Sequence, residues 1–546
     1  MAALPLSPRL LALPLWGMLS LRAWIAERRR PLLELRLGGR RPSPTPRDVR
    51  DVADSPEVRG LRVRVQHAPG GWANLASLRE AFAAVRRAGK LVVFELEQCG
   101  NGELYLASVG DRVWIRPMTT LHVMGVGASM RFAGAALAKL GLRFDMEAAG
   151  AYKSFGETFT RSFATPENRE AIGELVRDIQ DELERGIAEG RRIEVAAVRE
   201  AIADAPLDPE EAVARGLVDG ALYPDAVLAE LERMFEKDFA RMPFWAWHRV
   251  HAGKARLESW MEGQKQVTVV HLEGPVVDGD GVPGQPSIAA RPVCKALEEL
   301  AEDDEVAGAV LAIKSPGGSA TASDLVWRAV QKLQEKKPVV AVFGDVAASG
   351  GYYIAAPAAE IIARANTLTG SIGVVGGKLV VGAALARLGV HTEHVLGAPH
   401  ADYLSAEVPF DDVGRARFRA GLERFYRGFV ERVAAGRRRP YDAVEPFARG
   451  RVWTGRRALE VGLVDRLGGV EDGVARVAAL AGVHVPRRVD VFLATPPSRL
   501  MRLARSAMEA AVPQLRLLPT LPPEAMLLAE SRGAPLVLLP WEIDVE

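Results

Sequence analysis

The chain reads as an α/β protein in which one domain is built twice. Strand-length apolar runs, helical stripes between them and short segments that recur at a nearly fixed offset predict this. Residues 91–94 and 339–343 are near-continuous apolar runs, as expected of strands covered on both faces. Residues 33–37 alternate as Leu-Glu-Leu-Arg-Leu, and 267–272 open a second run of the same kind. Between the strands, apolar residues at 172, 175, 176, 179, 183 and 187 form a helical stripe that starts at Thr165-Pro166 and stops at Gly190. Phe418, Leu422, Phe425, Phe429 and Val433 form its counterpart, ending at Gly436. Both stripes are expected to face a core and carry no chemistry.

The recurrence has five anchors. Residues 104–107 match 352–355, and 136–141 match 384–389, both at 353 − 105 = 248. Pro69-Gly70-Gly71 pairs with Pro316-Gly317-Gly318 at 247, and 190–192 and 216–219 pair with 436–438 and 462–465 at 246. The organisation that follows is a hydrophobic targeting segment (1–30), a first domain (31–237), an aromatic-rich linker (238–265), a second domain (266–490) and a C-terminal extension (491–546).

Chemistry is expected where small residues crowd a serine. Ser349 lies between Ala347-Ala348 and Gly350-Gly351, directly after a strand, where its hydroxyl is accessible and a substrate can approach the backbone. A second strand, 310–313, runs into Lys314-Ser315-Pro316-Gly317-Gly318. The amides of Gly317 and Gly318 are candidates for half of an oxyanion hole, with the Gly350 amide as the other half. Position 101, opposite Ser349 in the first copy, is asparagine, so that copy has no nucleophile there.

A serine needs a base. None of the nine histidines sits in a triad signature, and Ala347 replaces the first glycine of a Gly-x-Ser-x-Gly elbow. Lysine is the other choice, and it is scarce: 12 of the 70 basic residues. Lysine in an apolar pocket can lose its proton, which arginine cannot. Lys153, in Ala151-Tyr152-Lys153-Ser154-Phe155, has small and aromatic neighbours, and no lysine follows Lys378. One copy thus keeps the serine without the lysine, and the other keeps the lysine without the serine.

These residues resemble those of the signal peptide peptidase A family in its long, duplicated form, Ser-Lys peptidases of the ClpP/crotonase superfamily. The resemblance runs from about 33 to about 490 and is most specific at 347–352, at Leu-Thr-Gly-Ser-Ile-Gly-Val (368–374), at 315–319 and at 152–154. It implies a tandem duplication of a ClpP/crotonase-like domain, with Ser349 as nucleophile, Lys153 as general base and Ser371 orienting the lysine. It also implies a membrane-associated endopeptidase that degrades cleaved signal peptides and other apolar peptides, without a cofactor or metal. Lys314 departs from the acidic residue often found before the Ser-Pro-Gly-Gly run, and residues 154–157 are only loosely family-like. Because the short relatives form rings of single domains, a homotetramer is expected, with each dyad formed where a first-type domain meets a second-type domain, either within one subunit or, the favoured arrangement, between neighbours. Two other readings of the fold are an acyl-CoA enzyme of the crotonase kind and an inactive scaffold; neither needs a split serine and lysine.

The remaining features are plainer. A net charge of +1 gives no polyelectrolyte surface, so nucleic acid is not an expected partner. Two cysteines make no disulfide framework. His248 and His251 stand three apart, but no carboxylate or cysteine pattern beside them argues for a metal. The aromatic connection, Phe244-Trp245-Ala246-Trp247, is expected to pack against a domain or a neighbouring subunit. Residues 10–21 are apolar, between Arg9 and Arg22, and too short to span a bilayer; they predict membrane association without fixing an orientation. Residues 499–505 open a basic amphipathic helix expected to dock on its own domain.

Overall fold

The computed structural model describes residues 30–39, 42–235, 240–261, 264–281, 285–484, 486–493 and 536–538. The apolar segment at 10–21 and the basic helix at 499–505 lie outside them. The described residues form two compact units, those up to Val126 with Asp178–Lys265, and Gly127–Arg177 with those from Gln266 onward.

The first unit is a six-stranded sheet, parallel throughout, in the order Gly220–Ala221, Arg112–Ile115, Leu91–Leu96, Gly60–Val65, Leu32–Leu37, Arg241–Pro243. The helix Trp72–Arg87 buries Leu75, Leu78, Phe82 and Val85 against it, with Phe82 edge-on to Phe94 at 5.1 Å. The aromatic connection belongs to this unit. Arg241–Pro243 pairs with Leu32–Leu37 as an edge strand, and the following helix, Phe244–Met261, buries Phe244 and Trp247 in the same core. His248 Nε2 lies 2.9 Å from an Asp48 carboxylate oxygen, and the His251 ring stacks on Trp247 at 4.8 Å. These histidines therefore anchor the helix.

The second unit holds the serine. Among its strands are β1 (Arg143–Ala149), β2 (Gln266–Glu273), β3 (Val306–Ser315), β4 (Gly317–Ser319), β5 (Val339–Ala348), β6 (Leu368–Gly370), β7 (Val374–Val380), β8 (Val452–Thr454), β9 (Arg487–Phe492) and β10 (Leu536–Leu538). The main sheet runs β8-β6-β5-β3-β2-β9, parallel except where β8 meets β6. Helix α1 (Ala320–Lys336) buries Ala322, Val326, Val330 and Leu333. Short α2 (Gly350–Ala355) is wholly buried, and α3 (Asp412–Gly436) inserts Phe418, Leu422, Phe429 and Val433. Both predicted stripes are helices, at Pro166–Arg191 and Asp412–Gly436.

A second sheet carries β4, β10, β7 and β1 in that order, after the short strands Ile288–Ala289 and Val276–Val277. β10 lies antiparallel to β4, with Gly318 opposite Val537, and meets β7 where Val375 faces Leu536. β7 and β1 pair antiparallel over seven residues, from Val374 opposite Ala149 to Val380 opposite Arg143.

That last ladder makes the compact units differ from the repeat. Residues 127–177 fall in the first copy by sequence, yet they are compact with the second, because β1 completes the sheet that β7 begins. The ladder is reinforced at Asp145, buried to 2% exposure, which accepts from Arg415 Nη2 at 2.5 Å and from the Phe410 amide at 2.7 Å.

Trp247→Ala should destabilise the chain by about 3–5 kcal/mol, the usual cost of truncating a large buried aromatic. Urea unfolding would show it. A change below about 1 kcal/mol would mean that the aromatic helix is a dispensable connection.

Candidate active site

β5 ends at Ala348, and Ser349 follows at the entrance to α2 with φ +54° and ψ −112°. A non-glycine residue there is strained and persists only where its surroundings hold it. Here the Ser349 amide donates to the Gly370 carbonyl at 2.8 Å, and the Ser349 carbonyl accepts from the Tyr353 amide at 2.8 Å. Ser371, the residue after β6, also has a positive φ, +51°. Its amide donates to the Arg451 carbonyl at 2.6 Å.

Lys153 reaches both serines. It lies four residues beyond β1, and Ser371 lies three residues before β7, so the pairing of Ala149 with Val374 sets the two loops side by side. Lys153 Nζ is 2.7 Å from Ser349 Oγ, 2.9 Å from Ser371 Oγ and 3.0 Å from the Ser371 carbonyl oxygen. Lys153 is 4% exposed and both serines are fully buried. Burial alone drives its pKa well below the ordinary lysine value, because the charged form would lose its hydration with no carboxylate to offset the loss.

The two residues belong to one chain and one compact unit. Of the two arrangements that the sequence leaves open, the one within a chain is formed here: the β1–β7 ladder carries the lysine across 349 − 153 = 196 residues of the same polypeptide.

Of the three glycines singled out in the sequence, Gly318 has φ +156°, and a Cβ there would lie 2.0 Å from the Val276 carbonyl oxygen, so only glycine fits. The Gly317 amide donates to Ser315 Oγ at 3.1 Å. The Gly350 amide opens α2, so no helical carbonyl takes it. Asn101, the counterpart of Ser349, begins the helix Asn101–Ala107 and is tied to Gly125, donating to its carbonyl at 2.8 Å and accepting from its amide at 3.1 Å.

Sequence reasoning missed the segment Arg449-Gly450-Arg451. The Arg449 carbonyl accepts from the Tyr152 amide at 2.8 Å, and the Gly450 amide donates to the Ile372 carbonyl at 2.7 Å. This segment thus holds the lysine loop on one side and the Ser371 loop on the other. The Arg451 guanidinium lies between the rings of Tyr152 and Trp453, at 4.6 and 4.7 Å, and pairs with Glu170 and Glu174 at 2.7 and 2.6 Å. Gly450 has φ +77°, and a Cβ there would come within 2.6 Å of Lys153 Cβ. The only signal in the sequence was a glycine between two arginines ahead of a strand.

Residues 84–237 and 331–484 each match Peptidase family S49, at starts 331 − 84 = 247 apart, and the chain belongs to that family. It is 28% identical to the chloroplastic serine protease SPPA of Arabidopsis thaliana, over 82% of this chain and 67% of that one. It is 29% identical to Protease 4 of Salmonella typhi, over 79% of this chain and 71% of that one. Identity to Protease 4 of Haemophilus influenzae is 26%, over 81% and 74%. Among solved structures it is similar to a membrane-bound stomatin-specific protease, with a TM-score of 0.27 and 15% identity over 42% of this chain and 97% of that one. It is also similar to ClpP1 of Listeria monocytogenes, with a TM-score of 0.26 and 15% identity over 40% and 98%. The protein is a serine peptidase in which the region matched by the family occurs twice, and the acyl-CoA reading is not favoured.

Gly450→Ala tests the newly found segment. The added methyl must displace Lys153, so kcat should fall about tenfold or more with KM nearly unchanged, because misplacing a reacting group by about 1 Å costs on the order of 10²-fold. Steady-state hydrolysis of a fluorogenic peptide reads this, with circular dichroism to verify the fold. An unchanged kcat would show that the lysine does not need this support.

Proposed function

We propose that Ser349 attacks the scissile carbonyl, that Lys153 is its general base and that Ser371 orients the lysine. The observation that carries this is the 2.7 Å approach of Lys153 Nζ to Ser349 Oγ in a pocket without a counter-charge. A neutral amine has two hydrogens and one lone pair. The Ser371 carbonyl oxygen can only accept, so it takes one N–H, and Ser371 Oγ takes the other. The lone pair is left facing the Ser349 hydroxyl. Lys153 then takes the hydroxyl proton as Oγ attacks and returns it to the leaving amine; water hydrolyses the acyl-enzyme with the same base. The amides of Gly318 and Gly350 are the preferred oxyanion donors, and Gly317 would join them on releasing Ser315 Oγ.

The substrate is an extended peptide. The slot beside β4 already accepts a strand, since β10 lies there antiparallel to Gly317–Ser319. A substrate strand in that place would run past the Gly318 backbone towards Ser349. Cleaved signal peptides and other apolar peptides fit such a backbone-read slot, and the relatives' names point the same way. We assign the protein to a membrane surface, as a homotetramer with four sites. No described helix is long and apolar enough to cross a bilayer.

Ser349→Ala and Lys153→Ala should each reduce hydrolysis by about 10²-fold or more, with the double variant no worse, because a nucleophile and its base act as one unit. Lys153→Arg should be equally inactive, because it keeps the charge and cannot act as the base. More than about a tenth of the activity remaining in Lys153→Ala would overturn the assignment.

pH separates this base from a histidine. Activity should rise towards alkaline pH with an apparent pKa well below about 10.4, the value for free lysine. Stability follows the same sign. Between the lowered folded pKa and about 10.4 the unfolded chain binds one more proton, so stability rises with pH across that window. Lys153→Met removes the buried amine. It should raise Tm at pH 7, and the gain should shrink as pH approaches about 10.4. A gain independent of pH would argue against a buried neutral lysine.

A further inference from the structure

We infer that residues 127–131 of one chain pair, as an antiparallel strand, with residues 392–396 of a second copy of this chain. This deepens the homotetramer reading and rests on it. The inference follows from the duplication. The ladder of β1 with β7 joins residues whose numbers sum to 523, as in Val374 with Ala149. Shifting each strand by 248 into the other copy gives 126–132 for β7 and 391–397 for β1, again with a sum of 523. The flanking elements obey this shift. The helix Gly134–Lys139 becomes Gly382–Arg387, and Gly141 at φ +79° becomes Gly389 at φ +81°.

The counterpart segments have the sequence position of strands but are not strands in the single chain. Residues 127–131 and 392–396 have irregular backbone, and no ladder of the described residues includes them. The surface around the second segment is apolar and open, with Leu388 79%, Val390 51%, Val395 94% and Leu396 45% exposed. Four exposed apolar residues in one stretch are what a covered edge needs and what a free edge avoids. The glycines report the same asymmetry. A Cβ on Gly141 would lie 2.7 Å from the Ala384 amide, since that glycine packs on the helix Gly382–Arg387; at Gly389 nothing stands within 4 Å. The shift assigns the vacant place beside Gly389 to Ala136 of the second copy.

Such a contact joins two different surfaces, so it propagates head to tail and closes as a ring. Two kinds of junction then alternate. Within each chain, β1 and β7 bring Lys153 to Ser349 and Ser371. Between chains, the equivalent positions hold Ala401, Asn101 and Val123, so that junction has neither base nor nucleophile. It serves assembly alone.

The register makes the test specific: Ala128 faces Val395. Two differently tagged full-length chains, Ala128→Cys and Val395→Cys, are mixed, allowed to exchange and oxidised. Directly opposed residues in an antiparallel pair sit about 4.5–5.5 Å apart at Cβ, within disulfide reach. A disulfide joining the two tags is expected. The off-register pair of Ala128→Cys with Thr392→Cys, about 10 Å displaced along the strand, should give at least several-fold less. In addition, Val395→Asp should lower the particle mass in sedimentation while the chain stays folded and still hydrolyses a short peptide, because its own dyad is intact. An oligomer that forms with no tag-to-tag disulfide, or with equal yield from both pairs, overturns the interface and leaves the oligomer standing. A chain that sediments as a monomer at every concentration overturns both.

Discussion

The antiparallel ladder between Arg143–Ala149 and Val374–Val380 is the contact on which the site depends. Without it, Lys153 and Ser371 would sit on loops 218 residues apart in sequence, joined only through the short segment Arg449-Gly450-Arg451. With it, the register of Ala149 on Val374 leaves a four-residue reach on one side and a three-residue reach on the other. A slip of one residue would invert the faces of the whole strand. The ion pair of buried Asp145 with the partly exposed Arg415, and the bond Asp145 accepts from the Phe410 amide, oppose such a slip. The lysine is therefore delivered by sheet geometry and then trimmed into place by Arg449-Gly450-Arg451.

Desolvation is the second constraint, and it explains why the pocket holds so few charges. A carboxylate beside Lys153 would hold the proton on it and keep the amine charged. Glu170 and Glu174, the acids that pair close to this loop, are engaged instead by Arg451, whose charge is shared with two aromatic faces. The arrangement keeps negative charge near the lysine loop occupied while leaving the amine itself without a partner ion.

Much of this was legible in the sequence because it depends on local chemistry. Small residues around Ser349, uncharged neighbours around Lys153 and the fixed offset between copies all express requirements that a few adjacent residues satisfy by themselves. The helices at Pro166–Arg191 and Asp412–Gly436 were equally visible, since an apolar stripe with capped ends specifies a helix wherever it lies. The ladder was hidden for the opposite reason. Arg143–Ala149 reads Arg-Phe-Asp-Met-Glu-Ala-Ala, with an acid buried in mid-strand, and only its partner makes that acid acceptable. The sequence therefore leaves open whether the dyad closes within a chain or between neighbours, and the ladder closes it within one chain. Phe244 and Trp247 looked like a connection because the short strand before them, Arg241–Pro243, carries no strand pattern of its own.

The same ladder ties the inheritance of the two halves together. Residues 143–153 lie in the first repeat, yet the residues they must fit, from Ser371 to Val380 and from Arg449 to Arg451, lie in the second. A change in β1 or in the loop after it is therefore judged by the other repeat and not by its own. Recombination that exchanged one half of the gene for a diverged homologue's would set a foreign edge against a native one at the place where tolerance is smallest. The halves are bound to diverge from each other while remaining matched to each other, and once the serine and the lysine had been divided between them, neither half could return to independent life.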